Sequence, residues 1–351
     1  MSNVYQRLAE FLDNFPQRFP VNTESGIELK ILKHIFTPEE AEMFMKLQTK
    51  PESGSKFAER IGADPDQTEK MLYDMSNKGQ IFRVGTSGNY KYVPVPFFVG
   101  IYEFQLGRMD PEFAKLMEEF KPILFKSTWL KGETKELRTV PVNEVVDSES
   151  KIMPYEMAEE AIKAAENVTL AECICRKEQK LVGNPCSYPT EVCLQFNQSG
   201  QYYAENGLGR PISHEEALEV VKKAVEAGLV IQLGSSQNPG GMCLCCSCCC
   251  FPLAEYKKLD RPSEVANSNF YARVNEEECV ACETCVDRCQ MEAITVDDIA
   301  QINLDRCIGC GVCAVTCDVG AISMHRKDKD KEFIPQKDFR SAMMAIYQER
   351  R

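Results

Sequence analysis

Histidine is scarce in this 351-residue sequence: His34, His214 and His325 are the only three, against 18 cysteines. That scarcity disfavours a histidine-rich zinc or iron centre. Long apolar runs are missing as well. The longest, Val93 to Tyr102, is broken by Pro94, Pro96 and Gly100. A helical span needs about 20 apolar residues, so no membrane span is expected. There is no excess of positive charge: 41 Lys and Arg face 53 Asp and Glu, a net charge of −12. An acidic chain repels a phosphate backbone, which disfavours nucleic acid as a partner. The opening stretch MSNVYQRLAEFLDNF has no basic region followed by an apolar one, so no secretory signal is expected. The expected location is cytoplasmic, where disulfides are rare. So many cysteines there point to metal.

Residues 1–172 contain no cysteine, and all 18 fall between Cys173 and Cys317. The cysteine-free half carries clear helix signals. Thr37-Pro38-Glu39-Glu40 offers an N-cap, a proline at the first position and acids in the first turn. Ala41, Phe44, Met45 and Leu47 follow at helical spacing. A short helix fits Ser55 to Ile61, ended by Gly62. Asp64 caps a third, with Pro65 at its start, running to Asn77 and closed by Gly79. Two strand-like runs, Ile81–Val84 and Tyr90–Val93, flank the turn Gly85-Thr86-Ser87-Gly88. Helices then a hairpin in this order resemble a winged-helix domain over residues 26–102. The resemblance implies DNA binding. The third helix opposes it, carrying Asp64, Asp66, Glu69 and Asp74 against Lys70 and Lys78, where a phosphate-facing helix is basic. Protein docking is the expected role.

Further along, helices are expected at Pro111–Phe120 and Pro154–Asn167, with a proline-containing edge strand at Thr139–Val146 between them. Trp129, the single tryptophan, is expected to pack. Ser213-His214-Glu215-Glu216 reads as a capping box. The helix it starts has an apolar face of Ala217, Leu218, Val220, Val221, Ala224 and Val225, and ends at Gly228. His214 is expected to be exposed or capping.

The strongest signal lies near the C-terminal end. Cys279, Cys282, Cys285 and Cys289 are spaced C-x2-C-x2-C-x3-C, and Cys307, Cys310, Cys313 and Cys317 repeat that spacing 28 residues later. Glu292–Val296 and Ala321–His325 are equivalent strands after each motif, and Gln301–Leu304 leads into the second. Residues 274–325 resemble the bacterial dicluster ferredoxins. The resemblance implies two [4Fe–4S] clusters with crossed ligation. Three thiolates of one loop reach one cubane, while the fourth begins a short helix and points to the other. Cys279, Cys282, Cys285 and Cys317 would hold the first cluster, and Cys307, Cys310, Cys313 and Cys289 the second. Ferredoxins often place proline after the fourth cysteine; Gln290 and Asp318 stand there here. A zinc ribbon would need paired C-x2-C, which this is not. Gly309 to Ala314 matches G-x-G-x-x-A, but cysteines of the motif lie inside it, no βαβ unit surrounds it and no Walker A sequence occurs. No nicotinamide or nucleotide is expected through those motifs.

Ten cysteines remain: Cys173, Cys175, Cys186 and Cys193, then Cys243, Cys245, Cys246, Cys248, Cys249 and Cys250. Six free thiols within eight residues would be an oxidation hazard. Were that run extended, Cys243, Cys245 and Cys249 would face one side and Cys246, Cys248 and Cys250 the other. Cys173-Ile174-Cys175-Arg176 sets two thiols beside a cation. One or two further iron–sulfur clusters are expected here, with the pairing of ligands open and zinc as the competing metal.

The chain is therefore expected to be a multidomain α+β protein. Its parts are a winged-helix-like domain with an N-terminal helix (1–105), a connecting α/β region (106–170), a cysteine-rich iron–sulfur domain (171–265), a dicluster ferredoxin domain (266–327) and a charged tail or helix (328–351). The expected function is single-electron transfer to or from a redox partner protein or complex, as a ferredoxin-like subunit of a larger anaerobic oxidoreductase system. The alternatives are a redox-responsive winged-helix regulator and an iron–sulfur enzyme whose active cluster lies in the middle domain.

Overall fold

The computed structural model describes residues 3–350. Its first part is helical: α1 (Val4–Asp13), α2 (Ile27–Ile35), α3 (Pro38–Lys46), α4 (Gly54–Ile61) and α5 (Pro65–Asn77). Thr37 and Glu40 form the reciprocal capping box of α3, and Asp64 caps α5 through the Gln67 N–H. An antiparallel hairpin follows, β1 (Phe82–Val84) and β2 (Lys91–Val93), with Phe82 opposite Val93.

After a turn in which Val99 has φ 55°, α6 (Tyr102–Phe104) leads into α7 (Pro111–Leu124). The latter runs one turn past its expected end and widens into a π-helical turn at Phe125–Trp129. Trp129 is buried, and its indole N–H donates to Tyr256 Oη at 2.8 Å. The strand expected at Thr139–Val146 is displaced: β3 is Leu137–Thr139, and Asn143–Val145 forms a 3-10 turn. Pro141 lacks the N–H that would continue the ladder. The helix expected at Pro154–Asn167 is divided into a turn at Pro154–Glu156 and α8 (Ala158–Ala164). Glu156 is drawn inward, accepting from Asn269 Nδ2 at 2.6 Å and Arg326 Nη1 at 2.7 Å.

The centre is an antiparallel sheet. Its elements are β4 (Val168–Glu172), α9 (Ile174–Leu181), β5 (Glu191–Phe196), α10 (Asn197–Glu205), β6 (Gly209–Ile212), α11 (His214–Glu226), β7 (Val230–Gly234), β8 (Gly241–Cys245) and α12 (Phe251–Lys257). The strand order is β3-β7-β8-β5-β4-β6. Val192, Leu194, Met242 and Leu244 point to one face, under Ala217, Val221 and Ala224 of α11. Cys193, Cys243 and Cys245 alternate to the other face, toward the N-terminal helices. Only half of the capping box expected at Ser213 forms: Ser213 accepts from the Glu216 N–H, while Glu216 is engaged by Arg210. His214 sits 3.0 Å from the Ala165 carbonyl. The hairpin β1–β2 is fastened to α10, where buried Arg83 donates to Ser76, Asn77 and Asn206 and Tyr202 Oη donates to the Ser76 carbonyl at 2.6 Å.

The last part contains β9 (Phe270–Val274), α13 (Thr284–Arg288), β10 (Ile294–Val296), β11 (Ala300–Ile302), α14 (Val312–Val315), β12 (Ile322–Arg326) and α15 (Phe339–Glu349). The strands pair as β9–β12 and β10–β11, both antiparallel. Arg350, after α15, forms a buried bidentate pair with Glu136 at 2.6 and 3.1 Å. One apolar core runs from Leu8, Phe44 and Tyr102 through Val230 and Phe251 to Phe270, Ile308 and Met324. Helix and antiparallel sheet together give the α+β mixture expected. Among the described residues, no helix is long and apolar enough to cross a membrane.

Candidate metal centres

Each ferredoxin-like loop must turn three thiols inward, and each uses two residues with left-handed backbone to do so. In the first loop these are Ala281 (φ 52°) and Glu283 (φ 63°); in the second they are Gly309 (φ 69°) and Gly311 (φ 80°). The first loop is exposed and tolerates side chains. The second is pressed against β9, where a Cβ on Gly309 would lie 2.1 Å from the Phe270 carbonyl oxygen. Gly309→Ala is therefore expected to lower thermal stability and iron content at the second loop, while Ala281→Gly leaves both near wild type; melting curves and iron assays of the two variants check this.

The thiols gather in crossed sets. Cys279, Cys282, Cys285 and Cys317 line one apolar cavity, and Cys289, Cys307, Cys310 and Cys313 line another. The fourth cysteine does not begin a helix as expected. Cys289 closes α13, and Cys317 follows α14 by two residues. The third cysteine of each motif, Cys285 or Cys313, lies within the helix instead. Backbone N–H groups aim at the sulfurs: Ala300 at Cys279 (3.4 Å), Ala293 at Cys289 (3.2 Å) and Ala272 at Cys307 (3.5 Å). Burial pushes the Cys310 thiol up to about 12 and raises Cys307 and Cys313. Thiols so placed ionise when a cation takes their charge. A soft, all-sulfur donor set with N–H groups around it fits an iron–sulfur cluster.

In the middle segment the run of six cysteines is extended only as far as Cys245. The chain then turns over Cys246 to Cys249, and Cys250 caps α12. Strict alternation would put Cys249 with Cys243 and Cys245. The turn places it with Cys246 and Cys248 instead. Cys186, from the loop after α9, joins these three, and the four sulfurs lie within 4.8 Å of one another. The hydrogen bond from Cys249 draws Cys246 down to about 4, helped by Arg176, whose Nη2 is 3.4 Å from its sulfur; burial pushes Cys248 up to about 12. A cleft of about 500 Å³ opens beside Cys248 and Cys249, and Cys248 is exposed there.

The other six cysteines form a second group of neighbouring thiols. Cys193 and Cys243 are register partners on β5 and β8. Thiol contacts join Cys173 to Cys175, Cys193 to Cys243, Cys243 to Cys245 and Cys245 to Cys250. Around them stand buried polar groups that the sequence did not advertise. Glu178 is wholly buried, accepts from Tyr102 Oη at 2.6 Å and is paired with Lys121. Burial pushes Glu178 up to about 7 despite Lys121, and burial likewise pushes Glu103 up to about 8. Only the one-turn spacing from Cys175 could have pointed to Glu178.

The Gln290 amide is one of the groups that join the last part of the chain to the middle one, beside Arg288 on the Glu226 carbonyl and Lys257 paired with Glu292. Gln290, directly after Cys289, accepts from Ser247 N (2.8 Å) and Ser247 Oγ (2.9 Å), between Cys246 and Cys248. Its Nε2 donates to Tyr188 Oη and to the Gly228 carbonyl, both at 2.9 Å.

Residues 272–295 and 300–323 match the 4Fe–4S binding domain. Comparison with curated proteins and with solved structures gives no match. The two 4Fe–4S motifs fall on the crossed cavities and make residues 272–323 a ferredoxin-like dicluster segment. With the cysteine-rich region, the 4Fe–4S motifs give the chain iron–sulfur electron-transfer capacity.

Proposed function

We propose that the chain is an electron-transfer protein that joins a dicluster ferredoxin segment to a further iron–sulfur site in its middle segment, and passes single electrons between these and a redox partner protein or complex. Bound clusters supply one-electron storage. Cys279, Cys282, Cys285 and Cys317 would hold one [4Fe–4S] cluster, Cys289, Cys307, Cys310 and Cys313 the second, and Cys186, Cys246, Cys248 and Cys249 a third. The observation that carries this reading is Gln290. Its backbone continues from a ligand of the second cluster, and its side chain is bonded to the turn that supplies Cys246, Cys248 and Cys249.

Exposure supports two ends for the relay. Cys282 is exposed on the first loop and Cys248 is exposed at the lip of the cleft. The acidic outer face of α5, with Asp64, Asp66 and Asp74, suits a protein partner rather than nucleic acid.

Gln290→Leu tests the reading. It deprives Ser247 N–H of its acceptor and should cost about 1–3 kcal/mol of stability. It should also slow electron exchange between the ferredoxin pair and the middle site several-fold, with the midpoint potentials little changed. Freeze-quench EPR after a pulse of reductant measures the exchange. Unchanged exchange kinetics, or zinc in place of iron and sulfide at the middle site, would refute it.

A further inference from the structure

We propose that Cys173, Cys175, Cys193, Cys243, Cys245 and Cys250 form a second, separate iron–sulfur site in the middle segment, and that Arg176 lies between the two middle sites and donates to both. This rests on the reading that the middle cysteines bind iron, and it goes further in the number of sites and their ligands.

The turn at Cys246 to Cys249 divides the ten cysteines into four and six. Cys186, Cys246, Cys248 and Cys249 already form a set of four sulfurs within 4.8 Å of one another, and four is the number of thiolates a cubane takes. The other six are brought together by regular structure. Cys243 and Cys245 share a face of β8 with Cys193 opposite, while Cys173 and Cys175 sit at the start of α9 and Cys250 just before α12. Thiol contacts run from Cys193 through Cys243 and Cys245 to Cys250. Such a donor set is soft throughout, and six thiols are more than one zinc ion uses.

Arg176 supplies the independent observation. Its side chain is 3% exposed, and Nη2 is satisfied by the Leu244 carbonyl and the Cys246 sulfur. Its Nε and Nη1 are buried with no acceptor anywhere in the protein. Buried donors are nearly always bonded. Cysteines of both sets act on its charge: Cys173 and Cys245 of the six, and Cys246 of the four, whose sulfur is 3.4 Å from Nη2. A sulfur-rich anion seated among the six cysteines would give the orphaned donors their acceptor. A guanidinium shared by two clusters would also oppose the build-up of negative charge in a buried space.

The test uses the full chain, purified without oxygen, with iron and sulfide assays and EPR. Wild type should carry about sixteen or more iron atoms, from four clusters of at least four. Cys193→Ser/Cys243→Ser should lose about four irons or more, keeping the two ferredoxin signals as internal evidence of folding and keeping the signal of the Cys186 site. Cys186→Ser/Cys249→Ser should do the reverse. Arg176→Gln should shift both middle signals and neither ferredoxin signal. Wild-type iron in the Cys193/Cys243 variant, or loss of the same iron by both double variants, overturns the second site while leaving the relay reading standing. A wild-type chain with only about eight irons overturns both.

Discussion

Cys289→Ala should strip a ligand from the cluster proposed at Cys307, Cys310 and Cys313, and should spare the cluster proposed at its own sequence neighbours Cys279, Cys282 and Cys285. The reason is geometric. Cys289 caps the C-terminal end of α13 and lines the cavity of the second motif with Cys307, Cys310 and Cys313. The Ala293 N–H then fixes the sulfur at 3.2 Å. A cubane with three protein thiolates keeps an iron open to solvent and exchange, so the second cluster's EPR signal should vanish or change type. The first cavity keeps its four thiols because the fourth is Cys317, 28 residues beyond Cys289. Cys317→Ala should give the mirror result. Loss of the first cluster on mutating Cys289 would refute crossed ligation. So would an unchanged second cluster.

Breaking the Glu136–Arg350 pair should cost about 3–5 kcal/mol, because the survivor is a buried, uncompensated charge. The side chains are 2% and 0% exposed. Arg350 also donates to the Lys131 carbonyl at 3.0 Å and the Gln17 carbonyl at 3.2 Å, so one guanidinium ties α15 to three other parts of the chain. Arg350→Met leaves Glu136 stranded and should lower the urea midpoint markedly. Glu136→Leu combined with Arg350→Met should recover part of the loss by removing both charges, but not all of it, since the two carbonyls remain without donors. A single variant as stable as wild type, or a double variant worse than the sum of both singles, would show that the pair is not what holds α15.

Much of the metal chemistry could be read before the fold. The C-x2-C-x2-C-x3-C loops are local, so spacing alone puts three thiols in reach of one another, and Thr37, Glu40, Asp64 and Pro65 mark helix starts by chemistry that acts within four residues. The middle site was only half legible. Nothing in Cys243 to Cys250 announces the turn after Cys245, where Ser247 is the sole conventional turn residue. The fourth thiol of that site, Cys186, comes from 60 residues earlier than Cys246 and reaches it only through packing. Gln290 could be noticed as a departure from the ferredoxin pattern, but not interpreted, because its partners Ser247, Tyr188 and Gly228 are set by tertiary structure. Glu103, Lys121 and Glu178 look like surface residues on three separate helices until the fold brings them together beside the thiols.

The ladder between β9 and β12 has a consequence for how such a chain could have arisen. Phe270 pairs with Arg326 at one end of it, and the Lys327 N–H donates to the Asn269 carbonyl at 2.8 Å just outside. The points where the dicluster stretch enters and leaves are thus already neighbours. A gene segment encoding residues 270–326 could be inserted or deleted in one event without pulling the flanking backbone apart.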